Sequence, residues 1–211
     1  MGEIARSAGG RAPALLAVDV AILLPDTLLQ PLLRLNAALQ PPPDGFHFDD
    51  THLPHVTLTQ HFISAARLPD VIRETAAVLR GAGPLWLLPA ETSRGRTAST
   101  VRLTLTEPLA RLHAALMDRL ERFESGSGDE AAFFPDALEP ARRADVEWVR
   151  QFRTQAAHGR FDPHITLGVG PLPRPDSLPA ADAARAALCH LGRFCTCRRV
   201  LAEWSLTATG A

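Results

Sequence analysis

The chain has 211 residues, 46% of them hydrophobic and 21% charged, with a formal net charge of −1. That length can bury a substantial core as one large domain or two small lobes, and the near-neutral balance excludes a broad electrostatic binder of nucleic acid. All 22 positive side chains are arginine, with no lysine and no tyrosine, which excludes a lysine Schiff base, a Walker-type lysine, a lysyl-nucleotide intermediate and a tyrosine nucleophile.

Residues 1–13 are small and polar with no apolar stretch behind them, and read as a disordered leader. Residues 14–24 are apolar apart from Asp19 and predict a buried central strand. Leu28, Leu32, Leu35 and Leu39 recur at helical spacing across 26–40. Pro31 lies inside that pattern, so either the regular helix begins there or its first turn is distorted. Prolines and a glycine at 41–45 end it. After a short polar approach at 46–52, residues 55–63 alternate as a strand. His55, Thr57, Thr59 and His61 are expected on one face, and Val56, Leu58, Gln60 and Phe62 on the other. Residues 68–80 predict a helix, with Pro69 at its start and Gly81 past its end.

Two strands are expected at 85–89 and 99–106, joined by a polar loop at 91–98. Residues 108–124 give the clearest helix, with Leu109, Leu112, Leu116, Leu120 and Phe123 on one stripe. A serine- and glycine-bearing break at 125–130 leads into a surface excursion near 125–145, and a short helix is expected at 146–155. Residues 161–169 read as a strand, 170–179 as an irregular proline-rich connection, and 180–191 as an alanine-rich helix. Strands at 193–197 and 200–207 close the chain. Hairpin-like strand pairs at 85–106 and 193–207 favour an α+β fold over a doubly wound parallel sheet.

One pentapeptide occurs twice: Pro54-His55-Val56-Thr57-Leu58 and Pro163-His164-Ile165-Thr166-Leu167, 109 residues apart. On a strand, residues two apart share a face, so each copy presents an imidazole beside a hydroxyl. Two such pairs suit chemistry at a phosphodiester. One histidine can activate the attacking oxygen and the other can protonate the departing one. Threonine hydroxyls can donate to the non-bridging oxygens. That scheme requires no metal and no cofactor.

The two copies resemble the signature of the 2H phosphoesterase superfamily, specifically the bacterial 2′-5′ RNA ligase-like (LigT-like) cyclic phosphodiesterases. The opening strand and helix, the arginine-bearing strand before a long helix, the Phe161-x-Pro-His-Ile-Thr-Leu-Gly run and a closing strand with Trp204 are similar to that family too, so the resemblance covers about residues 14–208. It implies a single bilobal α+β domain with two pseudo-symmetric antiparallel sheets flanked by helices, and a central cleft lined by one motif from each lobe. It further implies activity on 2′,3′-cyclic phosphate ends or 2′-5′ linkages without metal. By motif position His55 and His164 would be catalytic and Thr57 and Thr166 would bind phosphate. The acid and base roles are not assigned by it. The long stretch at 125–160 departs from the family pattern.

Arg102 can pair with a phosphate if its face lines the cleft; a solvated strand arginine is the alternative. Phe161 can stack on a base, or it can serve the core. Asp19 can cap or pair locally, and His113 reads as structural. A cluster of His47, His52, His55 and His61 raises a metallohydrolase reading, but no carboxylate or cysteine sits at a familiar ligand spacing. A nucleotide- or RNA-binding module without catalysis on the same scaffold is the main alternative function. No run of about 18 apolar residues exists, so no membrane-spanning helix is expected. Cys189, Cys195 and Cys197 read as free thiols of a reducing compartment. A cytoplasmic monomer acting on a cyclic nucleotide or RNA end, with no obligate protein partner, is the resulting expectation.

Overall fold

The computed structural model describes residues 14–94, 98–172 and 178–206. The expected leader at 1–13, and parts of the expected connections at 91–98 and 170–179, lie outside the described residues. The first sheet is built around β1 (Leu15–Leu23), which is buried from Ala17 onward. An unbroken apolar run suits a strand with neighbours on both edges, and β1 has them. β2 (His55–Ser64) lies on one side and β8 (Arg185–Leu191) on the other. β9 (Cys197–Ser205) completes the sheet in the order β2-β1-β8-β9, all antiparallel.

β4 (Pro89–Arg94), β5 (Ser99–Leu103) and β6 (His164–Gly168) form a second antiparallel sheet in that order. β3 (Leu85–Leu87) and β7 (Ala181–Ala183) make a two-stranded ribbon. Each His-x-Thr copy therefore begins an edge strand, β2 in one sheet and β6 in the other, and these two edges pack against each other. The expected α+β architecture with antiparallel sheets is what forms.

The helices are α1 (Asp26–Ala37), α2 (Leu68–Leu79), α3 (Glu107–Leu120) and α4 (Arg143–Gln155). Leu28 and Leu32 of α1, Val71 and Leu79 of α2, and Leu109, Leu116 and Leu120 of α3 join Val20, Ile22, Val56 and Leu58 of the first sheet. Val101, Ile165 and Leu167 of the second sheet belong to the same core. One apolar body thus holds both motif strands.

Several expectations change. The helix α1 begins at Asp26 and runs through Pro31. The missing proline N–H falls in the second turn and removes only one ladder bond there. The alanine-rich stretch at 180–191 is not a helix: it forms β7 and β8, with Ala183, Ala186 and Ala187 fully buried. Alanine's helical preference is a fraction of a kcal/mol per residue, whereas the β8 backbone is paired along both edges with β1 and β9. The expected hairpin from 85–89 to 99–106 is instead β4 with β5, and Leu85–Leu87 pairs with Ala181–Ala183. Arg193–Cys195 is a 3₁₀ turn, not a strand, with Phe194 and Cys195 at φ of 61° and 54°. The closing strand begins at Cys197 and its hairpin partner is β8.

The 125–145 stretch is pinned to the first sheet. Ser125 donates its N–H to the Phe62 carbonyl at 2.7 Å, and Phe134 donates to the Leu191 carbonyl at 2.7 Å. Ala132 and Phe133 are buried, and Phe133 meets Phe62 edge to face. Gly128 sits over the same Phe62 ring, where a Cβ would come within 2.2 Å of it. This stretch delivers α4, which packs on β2.

Candidate active site

β2 does not alternate throughout. Val20 pairs with Thr59 and the next residue, Ala21, pairs with Thr57, so Leu58 is an extra residue in β2. A bulge of this kind moves every later side chain to the opposite face. His55 and Thr57 keep the cleft face, but Gln60 joins them in place of Thr59. His61 turns away and pairs with Glu124 at 2.8 Å. The expected grouping of Thr59 and His61 with His55 is therefore corrected, and the bulge is the reason.

His55, Thr57, His164 and Thr166 line one cleft of about 630 Å³. The two rings are held alike. His55 donates its Nδ1 proton to the Leu53 carbonyl at 2.7 Å, and His164 donates its Nδ1 proton to the Asp162 carbonyl at 2.8 Å. A carbonyl only accepts, so both rings must carry the proton on Nδ1 when neutral, which leaves Nε2 as the free nitrogen. The backbone at each of these carbonyls is itself fixed. Leu53 donates its N–H to the Cys197 carbonyl at 3.1 Å, and Pro163, next to Asp162, accepts the Leu103 N–H at 2.8 Å.

Below the first motif lies Asp19, fully buried. Its Oδ2 accepts the Thr57 hydroxyl at 2.7 Å and the Gln60 amide at 2.8 Å. The His55 Nε2 is 3.8 Å from the same oxygen. Burial pushes the Asp19 carboxyl up to about 7, against the opposing pull of the Thr57 and Gln60 hydrogen bonds. Burial pushes the His55 imidazole below its ordinary value, so the ring rests neutral near pH 7. Sequence reasoning assigned Asp19 no part in the site, although a lone acid in an apolar strand was the signal. It missed Gln60 because nothing in the sequence announces the bulge.

The remaining wall is aromatic. Phe48, Trp148, Phe152, Phe161 and Phe194 line the cleft, and Trp148 on α4 is 40% exposed. Arg142 at the start of α4 lies over the Phe194 ring, 3.8 Å from its centroid. Thr100, which pairs with Thr166 across β5 and β6, also lines the cleft. Arg102 pairs across from His164, but its guanidinium binds Asp162 at 3.0 Å and Glu91 at 2.7 Å and is not among the lining groups. It secures the residue whose carbonyl orients His164. Phe161 lines the cleft and also stacks on His113.

The histidines at 47–61 do not converge. His52 is bonded to Asp49 and Glu139, His61 to Glu124, and His55 faces the cleft. Among the described residues, Asp19, His55 and Cys197 bring potential ligand atoms within 4.8 Å of one another. Asp19 Oδ2 already accepts two hydrogen bonds, from Thr57 and Gln60, and burial raises the Cys197 thiol well above its ordinary range.

A family model described as the 2′-5′ RNA ligase superfamily matches residues 25–185. Solved structures share the fold. The chain is 19% identical to TT0787 of Thermus thermophilus, with a TM-score of 0.57 over 92% of this chain and 100% of that one. It is 18% identical to E. coli LigT in apo form, with a TM-score of 0.52 over 92% and 98%. It is 20% identical to E. coli LigT complexed with 3′-AMP, with a TM-score of 0.55 over 92% and 99%. No curated protein matches the chain. With the family match covering most of the chain, the chain belongs to the 2′-5′ RNA ligase superfamily, and it shares the fold of E. coli LigT.

Proposed function

We propose that this protein is a phosphodiesterase that opens 2′,3′-cyclic phosphate ends or cleaves 2′-5′ linkages by acid/base catalysis divided between His55 and His164. The matched hydrogen bonds of the two rings carry the reading. Each ring spends its Nδ1 proton on a backbone carbonyl and keeps Nε2 for a ligand in the cleft. With a cyclic phosphate, one Nε2 takes a proton from the attacking water as its oxygen bonds to phosphorus. The bond from phosphorus to one ribose oxygen breaks. The other ring, protonated beforehand, gives its proton to that oxygen. In the reverse direction the two roles exchange. Thr57 and Thr166 are the proposed donors to the non-bridging oxygens.

The substrate class is supported by the cleft's aromatic wall, which suits a nucleobase, and by solved structures of E. coli LigT with phosphate and with 3′-AMP. The net charge of −1 suits a small cyclic nucleotide or an RNA end better than a long strand. The protein is proposed to act as a cytoplasmic monomer. No described helix is long and apolar enough to cross a membrane.

The test is turnover of a 2′,3′-cyclic nucleotide with chelator present. Replacing either His55 or His164 by alanine should cut kcat/KM by about 10²–10⁴-fold while the far-UV spectrum is unchanged. Equal rates in wild type and both variants would sink the proposal.

A further inference from the structure

The two threonines of the repeated motif are not equivalent. The Thr57 hydroxyl gives its proton to Asp19 at 2.7 Å. Among the described residues, no side-chain hydrogen bond engages Thr166. A hydroxyl has one proton, and Thr57 cannot donate it inward and outward at once. An acidic partner under only one of the two motifs therefore has a chemical consequence.

We propose that Asp19 is a positioning residue for the first motif, whose carboxyl decides whether the Thr57 hydroxyl proton points inward or toward a phosphate in the cleft. The inference rests on the phosphodiesterase reading. An ionised Asp19 only accepts, so it draws the Thr57 proton inward. A protonated Asp19 can donate to the Thr57 oxygen, which turns the Thr57 proton to the cleft. The Gln60 amide, 2.8 Å from Asp19 Oδ2, holds that oxygen in place in both states. Asp19 Oδ1 is buried with no hydrogen-bond partner, so nothing else on the carboxyl competes for this choice.

The groups around Asp19 leave its proton as the variable. From β2 it meets His55 at 3.8 Å, and His61 acts on it through the sheet. From β8 its cross-strand neighbour is Cys189. Cys197 of β9 and Cys195 of the adjoining turn also sense its charge, and burial keeps both thiols protonated. Arg142 and Asp145 of the α4 start line the same cleft but bind each other. No arginine neutralises Asp19 directly among the described residues. Burial sets its titration at about 7, where the switch would be felt.

Asn at this position imitates the protonated acid. With its amide nitrogen in the place of Oδ2, it donates one proton to Thr57 and the other to Gln60, whose buried and unpartnered Oε1 turns toward it. The test compares wild type, Asp19→Asn, Thr57→Val and the double variant across pH. The ratio of kcat/KM for Asp19→Asn over wild type should rise about tenfold or more between pH 6 and pH 8.5, a modest part of what one transition-state donor supplies. In the Thr57→Val background the same ratio should stay flat. A flat ratio with Thr57 present, or the same rise without it, would overturn the inference.

If Asp19→Asn does not fold, wild type over Thr57→Val carries the test. That ratio should shrink as pH rises, and a constant ratio refutes the switch. Sulfate affinity separates this claim from the phosphodiesterase reading, because the charge of sulfate does not change near neutrality. If wild type shows no turnover but binds sulfate with the Asp19- and Thr57-dependent pH profile, the reaction is wrong and the switch stands. If sulfate neither binds nor inhibits, both fall.

Discussion

The Phe161 ring lies flat on His113, with planes 1° apart and centroids 3.8 Å apart. His113 in turn joins the two half-sites. Its Nδ1–H donates to the Leu58 carbonyl at 2.7 Å, and its Nε2 accepts the His158 N–H at 2.8 Å. Leu58 is the bulge residue beside Thr57, and the His158 turn leads into the His164 motif. One imidazole thus fixes the geometry of both approaches.

Replacing His113 by phenylalanine keeps the stack and removes both hydrogen bonds. A buried carbonyl and a backbone N–H are then left unpaired, at a cost of about 2–4 kcal/mol in total. Denaturant unfolding should show that loss. The pH dependence has a definite sign. Burial holds His113 below its ordinary 6.5 in the folded chain. Under pH 6.5 the unfolded chain takes up a proton that the folded chain resists, so stability is present above that pH and falls below it. The phenylalanine variant should lose this part of the acid slope. An unchanged slope would remove His113 from the account.

The His55 and His164 rings should both be Nδ1–H tautomers. Long-range ¹H–¹⁵N correlation spectra at pH 8 should show a protonated Nδ1 and a bare Nε2 for His55 and His164 alike. The His55 signal should titrate with its midpoint below the ordinary 6.5, because burial opposes its charging. An Nε2–H tautomer at either ring would contradict the hydrogen bonds to Leu53 and Asp162.

Trp148 should report on the base. It is 40% exposed on the cleft wall and meets Phe152 edge to face. Loss of one base–aromatic stack costs about 1–3 kcal/mol, so Trp148→Ala should raise KM about fivefold or more while kcat changes little. Nucleotide binding should quench the fluorescence of wild type and not that of Trp148→Phe. Equal quenching in both would place the base elsewhere.

The sequence made the motif strands, α3 and the antiparallel α+β class legible, because each rests on local periodicity. The repeated His and Thr at two-residue spacing put an imidazole and a hydroxyl in one cleft, since no bulge falls between the His and the Thr of either copy. What lay beyond the Thr of the first motif was not legible. The extra Leu58 is an ordinary apolar residue whose role exists only against β1, so Gln60 could not be placed with Thr57. The alanine run at 180–191 carries a helical preference that the sheet overrides by pairing both edges of β8. Trp148 lies on a helix whose span could be read, but which wall it faces depends on how the 125–145 stretch packs.

Asp19 should make stability fall with pH where most buried acids make it rise. Its folded titration lies near 7, against an ordinary value of 3.8. Between those limits the folded chain holds a proton that the unfolded chain releases, so folding weakens as pH climbs through the window and levels off above 7. The whole difference corresponds to at most ~4 kcal/mol. Asp19→Asn cannot titrate, and its amide nitrogen can donate to Thr57 and to a turned Gln60 amide. Its stability relative to wild type should therefore grow from about pH 4 to pH 7 and stay constant beyond. Urea unfolding of both proteins across that range measures the difference, in which titrating groups remote from Asp19 cancel. A difference that does not change with pH would mean that Asp19 is ionised throughout, and that the carboxylate beneath Thr57 finds compensation beyond its two hydrogen bonds.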